Sequence, residues 1–147
     1  MKQLILLFTL LISLYATPPQ GVEALSPELR SLLSQEMLAL EKGMHSIFSN
    51  LIAGDYEKIA LKAEKIQNSF ILKQKLTPSQ RKELQSKLPQ AFIQLDQSFH
   101  EMAGELLNAA EFEDEEASVK LYSKMSRTCI QCHSTYAQER FPSFQEQ

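Results

Sequence analysis

The chain holds only two cysteines in 147 residues, and both fall inside one five-residue run near its C-terminal end. No cysteine is left elsewhere for a structural disulfide. Histidine is nearly as scarce, with three copies, and only His133 adjoins the cysteines; His45 and His100 lie far upstream. No apolar run reaches the roughly 20 residues of a membrane-spanning helix. Stretches of strand-like alternation are almost lacking, and there is no internal repeat or low-complexity tail. No acid–base pair or activated nucleophile announces a catalytic centre, so an enzyme is not expected. A net charge of only −3 excludes the basic footprint of a nucleic-acid-binding protein.

What is present is the run Cys129-Ile130-Gln131-Cys132-His133. C-x-x-C-H is the attachment signature of a c-type haem, in which each thiol adds to a vinyl group and the histidine becomes an axial ligand of iron. On a helix, steps of three and four residues put Cys129, Cys132 and His133 on one face, where all three can address one porphyrin. Other readings of C-x-x-C fit less well. A zinc site needs two further ligands at matching spacing. A thioredoxin-like pair needs a strand–turn–helix setting, and a helix holds residues three apart in a geometry rarely suited to a disulfide. One covalently bound haem c, with His133 as proximal ligand, is the expected cofactor.

The N-terminus reads as a processing segment. Lys2 is followed by a short apolar run from Leu4 to Tyr15, then Pro18, Pro19 and Gly21, and Val22-Glu23-Ala24 offers a small-residue cleavage site. The expected organisation is a signal peptide over 1–24, cleaved after Ala24, and one domain over 25–147. An uncleaved anchor would need a longer apolar run. Bacterial haem c is made outside the cytoplasmic membrane, so export to the periplasm agrees with the motif. No stable membrane insertion is expected after cleavage.

The remainder reads as helices. Ser26-Pro27 opens helix A with an N-cap and a first-turn proline. Its stripe runs Leu29, Leu33, Met37, Leu40, Met44, Ile47 or Phe48, and Leu51, ending at Gly54. Helix B runs from Tyr56 to about Leu72, with Ile59, Ala63, Ile66 and Phe70 inward. Thr77-Pro78-Ser79-Gln80 has the order of a capping box, and Pro89 must begin a new helix or kink the old one. Helix C continues to about Ala110 through Phe92, Leu95, Phe99, Met102 and Leu106, and helix D spans about Glu115 to Gln138. Short links between amphipathic helices predict an all-α, antiparallel up-down-up-down four-helix bundle. Glu111 and Glu113 to Glu116 form an acidic cluster best read as a solvated helix N-terminus.

A C-x-x-C-H near the C-terminus of such a bundle resembles the class II c-type cytochromes, the cytochrome c′ and cytochrome c-556 family. Softer points of likeness are a methionine early in helix A, the Gly54-Asp55 link and Tyr136 after the haem histidine. Class I cytochromes instead carry the motif near the mature N-terminus, with a methionine ligand far downstream; here the last methionine, Met125, precedes the motif. His133 lies about six residues before the expected end of helix D, or about 9 Å. In an antiparallel bundle that level matches Leu33 or Met37 on helix A, and Met44 lies about 10 Å deeper. The resemblance implies a distal residue from early helix A, with methionine as ligand in the c-556 type. Met37 is thus the expected distal ligand and Leu33 its neighbour in the distal wall, although methionine is also an ordinary core residue.

Phe70, Phe92 and Tyr136 are expected to pack around the haem. The family often has a basic residue directly after the aromatic, where this chain has Ala137; Arg140, Arg127 and Lys124 are the alternatives as propionate partners. His45 and His100, beside polar residues, read as solvated bystanders.

Two functions follow. With His133 and Met37 on iron, the protein is a low-spin carrier of single electrons between periplasmic redox proteins, its potential raised by thioether ligation. With the distal side capped by Leu33 instead, it is a five-coordinate, high-spin haem protein that binds NO or CO. The resemblance also implies a homodimer, as relatives often pair through helices A and B.

Overall fold

The computed structural model describes residues 21–69 and 76–145, whose regular structure is all helical, with no strand among them. Five α-helices follow in order: α1 (Pro27–Ala53), α2 (Tyr56–Asn68), α3 (Pro78–Lys87), α4 (Gln90–Glu111) and α5 (Glu115–Tyr136). Two 3₁₀ turns, Val22–Ala24 and Pro142–Phe144, lie before and after them.

The helix boundaries have local chemical causes. The Ser26 hydroxyl accepts from the Leu29 amide, and Pro27 follows at the first helical position. Gly54 closes α1 in the left-handed region at φ 67°, and its amide bonds back to the last turn. The Asp55 carboxylate then caps α2 through the Lys58 amide at 3.1 Å. Thr77 and Gln80 form the full reciprocal capping box that opens α3. Leu88 and Pro89 are extended, so Pro89 begins a new helix rather than bending the preceding one. Asp114 caps α5, with Glu115 and Glu116 in its first turn, where carboxylates favour the helix dipole.

Expected boundaries shift in two places. Helix α2 stops at Asn68, and α5 at Tyr136 rather than Gln138. The segment from Pro78 is a helix of its own, so the four expected helices become five.

Among the four long helices, α1 packs against α2 and α5, and α4 packs against the same two. This closed cycle of neighbours is compatible with a helical bundle. A first apolar cluster joins Leu40, Met44 and Ile47 of α1, Ile59, Ala63 and Ile66 of α2, Phe99, Ala103 and Leu106 of α4, and Leu121 and Met125 of α5. A second gathers Leu29 and Leu33, Leu84 of α3, Phe92 and Ile93 at the start of α4, and Tyr136, together with Leu25, Leu76 and Leu88 from outside the helices. No helix among the described residues is long and apolar enough to cross a membrane.

Candidate functional site

Cys129, Cys132 and His133 occupy the last two turns of α5, all partly buried. Their spacing places them on the side of the helix that meets the core, but at different heights. Cys129 packs against the first apolar cluster and Cys132 against the second. Both thiols are free. Burial pushes the Cys129 thiol above its ordinary range. Burial pushes Cys132 further, from 9.0 to about 12, with the Asp96 carboxylate and Cys129 adding to the shift. In the folded, haem-free chain both thiols are therefore neutral at physiological pH.

The His133 imidazole is half-buried, and that burial lowers its pKa, favouring the neutral ring with a free nitrogen lone pair. Its ring lies flat against Phe141, with centroids 4.1 Å apart and planes 13° from parallel. No hydrogen bond holds this imidazole among the described residues.

Met37 of α1 is partly buried and, among the described residues, is the one side chain that packs against both apolar clusters. Leu33 is buried in the second cluster beside Phe92 and Tyr136, whose rings meet edge to face at 5.4 Å. Five of the residues expected around the iron (Leu33, Met37, Phe92, Cys132 and Tyr136) thus gather in or against one cluster. Phe70 lies outside the described residues. Lys124, Arg127 and Arg140 are all exposed.

Several site features escape the sequence reading. The buried seam of α1 runs Leu29, Leu33, Glu36, Leu40, Met44 and Ile47, so the four-three-four spacing passes through Glu36 and leaves Met37 on its flank. Glu36 is only 4% exposed. His100 is equally buried, and so is not a solvated bystander as its polar neighbours suggested. Its Nδ1 donates to the Ile66 carbonyl at 2.7 Å, and its Nε2 lies 3.7 Å from Asp96 Oδ1. His45 is exposed, as expected.

Two surface hollows among the described residues lie away from this region. One is formed by α5 residues Glu115 to Ser123, the other between α2 and α4 around Leu61 and Leu107. Among the described residues no three histidine, cysteine, aspartate or glutamate side chains gather to hold a bare metal ion. Comparison with protein-family models, curated proteins and solved structures finds no match to this chain.

Proposed function

We propose that the chain is an exported c-type cytochrome of the class II kind, built as an up-down-up-down helical bundle and carrying single electrons between periplasmic redox proteins. The reading rests first on the C-x-x-C-H run at the end of α5. The observation that carries it further is that Met37 packs against both apolar clusters, one met by Cys129 and the other by Cys132, while the adjacent His133 is half-buried and biased toward its neutral form.

These residues suit a haem. Cys129 and Cys132 would hold it as thioethers, which tolerate their apolar surroundings because they carry no ionisable proton. His133 would ligate the iron through an imidazole nitrogen. Met37, which packs against both clusters, would supply a second ligand through its thioether sulfur. Leu33, Phe92 and Tyr136 would exclude water, which would favour the less charged ferrous state and so raise the potential. A haem held in this way supplies a one-electron iron couple. With both His133 and Met37 held by the fold, the iron would keep the same protein ligands in both oxidation states, so little reorganisation would accompany transfer. No substrate chemistry is assigned to the chain, and it is read as a carrier rather than an enzyme.

A second reading has support in the burial of Leu33 beside Met37. Methionine fills core gaps readily. If Met37 does only that, an apolar distal side suited to NO or CO remains.

The test is the ferric optical and EPR spectrum of the haem-loaded protein beside a Met37→Ala variant. Low-spin spectra with a methionine–iron charge-transfer band that the variant loses are the expected result. High-spin spectra indifferent to the substitution would assign Met37 to packing and favour gas binding. A chain that takes up no haem in cells with the cytochrome c maturation machinery would end the cytochrome reading.

A further inference from the structure

A histidine that binds a metal usually has its ring held by a hydrogen bond from the second nitrogen to a carbonyl or carboxylate. No such bond fixes His133 among the described residues. What meets the ring is Phe141, eight residues further on and beyond the end of α5.

The chain after α5 is folded back to make that contact. The Ala137 amide still donates to the His133 carbonyl, at 3.2 Å. The Ala137 carbonyl then accepts from both the Arg140 amide, at 3.1 Å, and the Phe141 amide, at 3.0 Å. Pro142 starts a 3₁₀ turn in which the Phe144 and Gln145 amides bond back to Phe141 and Pro142, at 3.1 and 2.8 Å. This run of backbone bonds leaves the Phe141 ring lying nearly parallel to the imidazole, while the residue as a whole stays 36% exposed. A face-on stack covers one side of the imidazole. Both ring nitrogens keep their bonding directions in the ring plane, at its edge, so the stack blocks neither. It opposes rotation about the bond that joins the ring to the side chain, and it keeps water off one face.

We infer that Phe141 is the positioning residue of His133, holding by aromatic stacking a ring that a hydrogen bond would ordinarily hold. The stack is a property of the chain itself; its effect on iron rests on the cytochrome reading above.

The experiment compares the full chain with Phe141→Leu and Phe141→Tyr variants, each prepared without haem and haem-loaded. Without haem, NMR of the His133 ring protons should show upfield ring-current shifts in the parent and the Tyr variant, lost in the Leu variant. In the haem-loaded form, the Leu variant lets water reach the ligand and stabilises ferric iron. Its reduction equilibrium should move toward the ferric state by up to about tenfold, the whole worth of one stacked pair being the upper bound. Tenfold corresponds to about 59 mV for a one-electron couple. The low-spin EPR signal should broaden as the imidazole plane loses its fixed angle, and the Tyr variant should restore both properties. A merely structural role would lower the melting temperature and leave potential and EPR unchanged, which would overturn the inference. So would identical His133 ring-proton shifts in the parent and the Leu variant. If no haem attaches, the cytochrome reading fails, and the ring-proton comparison still decides whether Phe141 holds His133.

Discussion

Cys132 carries the most perturbed thiol of the site, and the cause is placement: it is buried against the second cluster with the Asp96 carboxylate nearby. Its folded pKa of about 12 lies above the ordinary 9.0, so the folded state keeps its proton longer than the unfolded state. The stability this contributes is complete below pH 9.0 and is lost as pH rises toward about 12. Alkaline unfolding of the haem-free chain should therefore show a loss in that window that Cys132→Ala removes. Haem-loaded protein should lack it too, because a thioether has no proton to lose. An identical alkaline profile in parent and variant would refute the assignment. At this scale the sequence was legible where placement depends on spacing: Cys129, Cys132 and His133 share the last turns of α5, as expected. It was illegible where a polar residue is buried by a distant partner. His100 is held by a carbonyl thirty-four positions away, on another helix. Glu36 occupies a seam position that a count of apolar residues assigns to Met37. Phe141 reaches His133 through a chain reversal that no helical period encodes.

The helices were more legible than single side chains, because caps and breakers act over a few neighbouring residues. Ser26-Pro27, the Thr77–Gln80 box and Gly54-Asp55 all do what their types suggest. Pro89 was ambiguous from sequence, since a proline can either start a helix or bend one. The extended Leu88 makes it a start. Two turn positions give a paired prediction. Gly54 sits at φ 67° with nothing within 4 Å of an added Cβ, so Gly54→Ala would meet only backbone strain. It should cost about 1 kcal/mol. Glu113, in the link between α4 and α5, is the one non-glycine residue with positive φ among the described residues, at 53°. Glu113→Gly relieves that strain but loosens the unfolded chain, and the balance should be a gain of about 0.5 kcal/mol. Urea titrations of both variants measure the difference. Equal destabilisation by the two would mean that side-chain contacts, rather than φ, govern the turns.

At the scale of the whole molecule, the core is divided. The first cluster draws on all four long helices, so it cannot open without separating them. The second depends on Leu84 of the short α3 and on Leu25, Leu76 and Leu88 outside any helix, and these can leave while the long helices stay packed. Two levels of stability follow for the haem-free chain. Amides around Ile59, Ala103, Leu106 and Met125 should exchange with solvent only by global unfolding. Those of α3 and of the first turns of α1 and α4 should exchange by local opening, at a free energy lower by at least about 1–2 kcal/mol. Cys129 packs on one cluster and Cys132 on the other, and Met37 touches both. A porphyrin bonded to both thiols would lie where the two clusters meet and pack against each, so local opening would expose its apolar face to water. Hydrogen exchange of α3 should then slow toward the global rate once haem is attached, while the first cluster changes less. Equal protection of the two clusters without haem would show one cooperative core. Exchange in α3 that is unaffected by attachment would show that the motif does not join them.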